Sequence, residues 1–305
     1  MKTSEVEPKS VIYSICVVNY NMGSVIEKAL LSVLNQIDSN YELLVIDDGS
    51  NDNSVQILKH LSEKHKLLRY KSVKRDSKRL LGETRNISIR EARGRYVLLY
   101  IDADDLWEPY ILEFVKVFHK IKDSYGERIF LSGNQISMAN REMLLEFGPY
   151  RNTFVEDRDL CHRLAAENIY LPINHKAFRT RMTLPKKKRI YKTIWIKTWN
   201  HMLYDLRRSS NNNEYIIGCL TAPIRTKNTP RGFLTNVLRM LLIFPVYLMS
   251  KAKSPLLMPK NLASHDEFVK YREAHSGSYI ELMRRKGGSE DISFLINESK
   301  QIFDV

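Results

Sequence analysis

The chain has 305 residues, 43% hydrophobic and 27% charged, which is enough apolar residue to bury a core and excludes a disordered tail. Lys and Arg number 48 against 35 Asp and Glu, but the net +13 is local: residues 170–260 hold 18 basic and 2 acidic side chains, or +16, and the remainder balances at −3. An anionic partner is therefore expected for that one segment rather than for the whole surface.

The opening stretch, MKTSEVEPKS, has no apolar core and does not read as a secretory signal. From there short apolar runs recur at 11–18, 41–47, 67–73, 95–102 and 128–133. Most are separated by stretches of helical spacing. Residues 25–37 place Ile26, Leu30, Val33 and Leu34 on one face, 54–65 do the same with Val55, Leu58 and Leu61, and 83–93 and 109–122 follow. This alternation predicts an α/β fold, a mostly parallel sheet flanked by helices. Ligands of such sheets sit beyond the carboxyl ends of the strands. The rule selects Asn19 to Gly23, Asp47 to Ser50 and Asp102 to Asp105.

Residues 153–168 read as a further helix and LPINHKAFRTRM (171–182) as extended chain. Past 185 the composition becomes basic and aromatic, with Tyr191, Trp195, Trp199 and Tyr204. The domain boundary is placed there, giving 1–185 and a mainly helical region 186–305. SSNNN (209–213) reads as a loop. Residues 230–260 set an apolar stretch between Arg231, Arg239, Lys251, Lys253 and Lys260, with no acid, and KKKR at 186–189 adds charge. The longest uncharged apolar run, 240–250, contains Pro245 and falls short of the roughly 20 residues of a spanning helix. Peripheral contact with an anionic membrane surface is the preferred reading, and a core helix with solvated basic flanks the alternative. Nucleic acid is disfavoured, because the run is too apolar for a phosphate-tracking surface. The last stretch carries a capping signature, Ser264 with Glu267, and an amphipathic helix over 290–303 on Ile292, Leu295, Ile296, Ile302 and Phe303. Cys16, Cys161 and Cys219 form no CxxC pair, which disfavours a disulfide scaffold or zinc ribbon and points to a reducing compartment.

Four segments carry chemistry. YVLLYIDADD (96–105) delivers Asp102, Asp104 and Asp105 to the end of a strand. Packed carboxylates repel unless a cation offsets them, and oxygen ligands suit Mg²⁺ or Mn²⁺. Taken alone, a solvated acidic turn reads equally well. ELLVIDDGSNDNS (42–54) ends a strand on Asp47 and Asp48, where a carboxylate can accept from a nucleobase N–H, although Asn, Asp and Gly are also ordinary turn chemistry. GETRN (82–86) opens a helix with Arg85, an anion site or simply a surface arginine. FVEDRDLCHRL (154–164) places Glu156, Asp157 and Asp159 in a helical first turn, favoured by the helix dipole and available for proton transfer.

Together these segments, with VVNYN (17–21) and SVLNQ (32–36), resemble the family-two inverting glycosyltransferases of GT-A fold, in the family's order, over about residues 10–185. The resemblance implies a metal-dependent transfer from a UDP- or GDP-linked sugar to a glycan or lipid-linked acceptor. By it, Tyr20 and Asp48 contact the nucleobase with Asp47 nearby, and Arg85 lines the nucleotide pocket. Asp102, Asp104 and Asp105 form a DXD-type element for ribose and metal-bridged diphosphate. Asp157 is the catalytic base, with Glu156 the next candidate. Two departures stand out: no Pro precedes Tyr20, and Arg181 occupies the region where many members have a metal- or diphosphate-contacting His, the nearest here being His175. The expected setting is cytoplasmic, on the inner membrane face, in lipid-linked or envelope glycan synthesis. A soluble transferase acting on a saccharide or protein glycan, a haloacid-dehalogenase-type hydrolase and an inactive nucleotide-sugar-binding scaffold are the competing readings. The hydrolase is discounted because its DxD falls on the first strand. A dehydrogenase or P-loop enzyme is disfavoured, since neither GxGxxG after the first strand nor a Walker A motif is present.

Overall fold

The computed structural model describes residues 11–182, 190–208, 212–225, 230–256 and 265–303. KKKR at 186–189, Ser264 and Lys260, with the opening stretch 1–10, lie outside the described residues. The chain divides into two compact units. The first comprises Met1–Tyr150, Asn168–Leu184 and His275–Val305, the second Arg151–Glu167 and Pro185–Ala274. This division runs differently from a single boundary at 185: residues 151–167 go with the later helices, and the last thirty-one residues return to the first unit.

In the first unit the elements follow in order β1 (Tyr13–Asn19), α1 (Ile26–Leu34), β2 (Tyr41–Asp47), α2 (Ser54–Lys64), β3 (Leu68–Ser72), α3 (Leu81–Glu91), β4 (Tyr96–Leu99), β5 (Asp105–Trp107), α4 (Ile111–Tyr125), β6 (Phe130–Ser132), β7 (Ser137–Asn140) and α5 (Arg141–Phe147). After α6 (Glu156–Ala166), which belongs to the second unit, come β8 (Tyr170–Pro172) and β9 (Arg179–Arg181). The seven-stranded sheet has the order β3-β2-β1-β4-β7-β6-β8. All its pairs are parallel except the two made by β7. β2 is buried along all seven residues, as a central parallel strand covered on both faces requires. That buries Glu42, whose carboxylate accepts from Ser14 Oγ at 2.6 Å, Arg93 N at 2.7 Å and Arg69 Nε at 3.0 Å. β5 and β9 form a separate two-stranded sheet that sets Asp105 opposite Arg181.

α10 (His265–His275), α11 (Tyr279–Arg285) and α12 (Asn297–Phe303) end the chain. Tyr279, Leu282 and Phe303 join the core of Val17, Leu43, Leu98, Phe114 and Phe118. Burying a side chain such as Phe303 contributes about 2 kcal/mol. A formed capping box sits one helix later than Ser264 and Glu267. The Ser278 hydroxyl accepts from Glu281 N at 3.4 Å, and Glu281 Oε2 accepts from Ser278 N at 2.8 Å. The helix expected over 290–303 forms only from Asn297. Asp291 instead accepts from Ser293 N and Oγ, both at 2.8 Å, and this local turn bonding competes with helix. The apolar set still reaches the core through Leu295, Ile302 and Phe303, whereas Ile296 is exposed.

The second unit is helical. α6 joins α7 (Ile190–Arg208), α8 (Asn212–Arg225) and α9 (Pro230–Lys251) with most of α10. Met202, Leu203, Leu206, Cys219, Leu242, Ile243 and Val246 form its core. α9 corrects one expectation. Helical structure runs through Arg239, so Gly232–Lys251 is a 20-residue helical stretch whose most apolar 18 residues have a mean hydropathy of 1.6, enough by length and composition to cross a membrane. One face of α9 is covered by α7 and α8, while Leu234, Leu241, Phe244 and Leu248 on the other are between 57% and 70% exposed.

Candidate active site

The ends of β1, β2 and β4, the start of α3 and the strand β9 enclose a cleft of about 260 Å³ within the first unit. Its lining comes from Val18 to Tyr20 and Met22 after β1, Asp48 after β2, Leu81 and Thr84 on α3, Asp102 to Asp104 after β4, and Arg181 on β9. Three parallel strands stop along one sheet edge, so the segments beyond them, far apart in sequence, meet there.

At one end Tyr20 is half-exposed, and the Arg75 guanidinium lies over its ring, 4.3 Å from the centroid. Asp48 is buried. Its carboxylate accepts from Arg79 Nε at 2.9 Å and pairs with Arg75 as well. Asp47 does not line the cleft. It is 0% exposed, accepting from Asn19 Nδ2 at 2.7 Å and from Ser50 Oγ and N at 2.5 and 3.1 Å, and so ties the end of β1 to the turn after β2. In that turn Gly49 has φ +72°, and a Cβ there would come within 2.6 Å of Arg75 N, so the loop after β3 closes down on a position only glycine fills easily.

At the other end stand the carboxylates beyond β4. Tyr100, with φ +66°, turns the chain out of the strand, the kind of backbone outlier that collects at functional sites. Asp102 faces the cleft, with Arg181 Nη2 2.5 Å from Oδ2 and Arg85 Nη2 3.7 Å from Oδ1. Arg85 does not line the cleft; it stands behind Asp102, its guanidinium 4.9 and 5.6 Å from the rings of Tyr100 and Tyr150. Asp104 lines the cleft, and burial, with the charges of Asp102 and Asp105, raises its carboxyl above the ordinary value against the opposing pull of Arg181. Asp105 turns inward, since β5 alternates its side chains and buries Asp105 and Trp107 around exposed Leu106. It is 0% exposed and accepts from Arg179 Nη1 at 2.6 Å and Arg181 Nε at 3.0 Å.

Among the described residues no three His, Cys, Asp or Glu side chains form a cage for a cation. Asp102 and Asp104, the cleft-lining carboxylates at this end, nevertheless fit Mg²⁺ or Mn²⁺. Such ions keep water and take one or two carboxylates, with substrate phosphates completing the shell. His175 is structural: its Nε2 accepts from Asn134 N at 2.8 Å, which leaves the proton on Nδ1 to donate to the Lys176 carbonyl at 2.7 Å. Burial lowers its pKa, consistent with a neutral ring held against Phe114, Phe178 and Phe303.

Glu156 and Asp157 begin α6 in the second unit. Glu156 is buried, while Asp157 is exposed and its Oδ1 accepts from Arg158 N at 2.7 Å. Their neighbour Asp159 is 0% exposed and anchors the unit, accepting from Arg163 Nε at 2.9 Å and the Tyr204 hydroxyl at 3.1 Å. The structure thus brings together Tyr20, Asp48, Asp102 and Asp104, with Asp47, Arg85 and Asp105 behind them. It adds Arg75, Arg79 and Arg181, of which only Arg181 drew notice in the sequence. Within SVKRDSKRLL the other two look like any solvated basic loop.

Comparison with known proteins identifies the family and the fold. An uncharacterized glycosyltransferase of Haemophilus influenzae is 31% identical over 142 residues, covering 45% of this chain and 55% of the relative. WfgD of Escherichia coli, a UDP-Glc:α-D-GlcNAc-diphosphoundecaprenol β-1,3-glucosyltransferase, is 31% identical over 129 residues, covering 41% of this chain and 49% of its own. The chain spans about half or less of the length of such curated relatives. Staphylococcus aureus TarS 1–349, crystallised with UDP-GlcNAc, superposes with a TM-score of 0.51 at 15% identity, over 93% of this chain and 95% of that one, a likeness of fold that agrees with the GT-A expectation. The sequence model of glycosyl transferase family 2 matches residues 14–168, which span β1 to α6 and supply every lining position of the cleft except Arg181. That match extends over half of the sequence, and the chain belongs to glycosyl transferase family 2.

Proposed function

We propose that this chain is an inverting glycosyltransferase that moves a sugar from a UDP- or GDP-linked donor to a glycan or lipid-linked acceptor. The observation that carries the reading is the cleft itself, with an aromatic ring and an acceptor carboxylate, Tyr20 and Asp48, at one end and two cleft-lining carboxylates, Asp102 and Asp104, at the other. A base stacks on Tyr20 and donates its N–H to Asp48, and the diphosphate then lies toward Asp102 and Asp104. There Asp102 and Asp104 would hold Mg²⁺ or Mn²⁺, which would offset the charge that develops on the leaving diphosphate.

The acceptor oxygen forms its bond to the anomeric carbon on the face opposite the diphosphate. The bond from that carbon to the phosphate oxygen breaks with its electron pair on the phosphate, and configuration inverts. Asp157 keeps the role of base and takes the proton of a hydroxyl acceptor, with Glu156 the next candidate. A phosphate acceptor needs no such base. WfgD, whose name specifies a diphosphoundecaprenol-linked acceptor, supports a lipid-linked glycan. So does α9, one face of which is apolar and open. Because its other face is buried on α7 and α8, contact is peripheral rather than spanning, on the cytoplasmic membrane face where nucleotide sugars and polyprenyl acceptors meet.

The test is a panel of UDP- and GDP-sugars scored for hydrolysis or transfer with and without Mn²⁺ or Mg²⁺. Metal-stimulated turnover of one donor is expected. The reading fails if no donor is turned over and neither UDP nor GDP raises the melting temperature in the presence of metal.

A further inference from the structure

β9 brings Arg181 to the acidic turn from 76 residues further along the chain than Asp105. Six charges then meet. Arg179 and Arg181 hold Asp105, Arg181 and Arg85 flank Asp102, and Asp104 has Arg181 Nε at 3.7 Å. Three carboxylates and three guanidiniums leave the group formally neutral, so a dication arriving at Asp102 and Asp104 finds little charge to offset. The two arginines of β9 differ in freedom. The Arg179 side chain is 16% exposed and bonded to fully buried Asp105. The Arg181 side chain is 48% exposed, lines the cleft, and reaches from Asp105 through Nε to Asp102 through Nη2.

We infer that Arg181 is a movable counter-cation. It competes with a divalent ion for Asp102 Oδ2, and once displaced it pairs with the diphosphate of the donor, pivoting on its Nε bond to Asp105. The inference rests on the reading of the cleft as a nucleotide-diphosphate-sugar site. The planar fork of arginine suits both ends of the exchange, because it presents paired donors to carboxylate and phosphate alike, which a lysine ammonium does not. The exchange also couples the two ligands. A diphosphate that draws Arg181 away tightens the ion, and the ion, by freeing Arg181, tightens the diphosphate.

The experiment measures Mn²⁺ binding to the wild type and to Arg181→Gln without nucleotide, by the electron paramagnetic resonance of the free ion, and then UDP and GDP binding at saturating Mn²⁺ by calorimetry. Removing one positive charge in contact with the site is expected to tighten Mn²⁺ by about 10-fold or more, and losing the diphosphate partner to weaken the preferred nucleotide by about 10-fold. Equal or weaker Mn²⁺ binding by the variant, or none in either protein, overturns the inference. Failure of both proteins to bind either nucleotide refutes the donor-site reading instead, while the Mn²⁺ comparison still decides the competition. The wild type gives a second readout if the variant does not fold. Titration with diamagnetic Mg²⁺ must shift the ¹⁵N side-chain resonance of Arg181, assigned through Arg181→Lys, and an unchanged resonance at millimolar Mg²⁺ overturns the exchange.

Discussion

Arg75 is held to Tyr20 and to Asp48 at once, its guanidinium 4.3 Å from the tyrosine ring centroid and its Nη1 on the buried carboxylate. The loop after β3 thus covers both groups assigned to a nucleobase. Base binding must exchange an arginine stack and ion pair for a base stack and an N–H bond.

Tyr20→Ala should therefore weaken UDP or GDP binding by about 1–3 kcal/mol, the usual worth of an aromatic stack on a base. The melting temperature should not change, because Tyr20 is 42% exposed. Tyr20→Phe should bind like the wild type. Calorimetric titration reads both, and an unaltered Tyr20→Ala affinity would remove the base from this end of the cleft.

Asp157→Asn should lower turnover onto a hydroxyl acceptor by roughly 10²- to 10⁴-fold while leaving donor affinity intact. The substitution keeps an oxygen for the bond from Arg158 N, and the position is exposed, so folding should be unaffected. Steady-state kinetics beside nucleotide titration distinguishes the two parameters. Full activity in the variant would argue for an acceptor phosphate.

On α9, Leu241 and Leu248 are 65% and 70% exposed, whereas Leu242 is 4% exposed. Changing Leu241 and Leu248 together to Glu should abolish flotation with anionic phosphatidylglycerol vesicles at low salt without lowering the melting temperature. Leu242→Ala should instead cost about 2–4 kcal/mol of stability. Flotation of the double variant equal to the wild type would show that this face does not meet lipid.

Burial lowers the pKa of His175 and His119 below the ordinary value of 6.5. The unfolded chain then binds protons that the folded chain refuses, so the stability these groups contribute is complete above 6.5 and declines as pH falls through and below it. Denaturation midpoints should drop between pH 7 and pH 5.5, and less steeply in His175→Gln. A midpoint that holds or rises over that range would contradict the burial of these rings.

The parts of the site legible in the sequence were those written into single segments. The run YVLLYIDADD carries both its strand and its carboxylates, and parallel pairing brings such run-ends to one edge, so Asp48, Asp102 and Asp104 could be grouped before any fold was seen. What escaped depends on partners with no local pattern. β5 and β9 are each three residues long, too short for a periodicity, and only their pairing turns Asp105 into an anchor and sets Arg181 on Asp102. Likewise Arg75 and Arg79 reach Asp48 only because their loop folds over Gly49. At the far end, apolar spacing over 290–303 marked Leu295, Ile302 and Phe303 as buried but misjudged Ile296 and the backbone, since Asp291 accepts from Ser293 in a local turn.

The return of residues 275–303 to the first unit has a practical corollary for anyone wishing to isolate that unit. The polypeptide passes between the units four times, after Tyr150, Glu167, Leu184 and Ala274. No single cut separates them, and a fragment ending at the limit of family similarity would forfeit Tyr279, Leu282 and Phe303, leaving α4 with a raw hydrophobic flank. Aggregation of such a fragment would then report missing core rather than a missing membrane, and a faithful minimal version has to splice the tail back on.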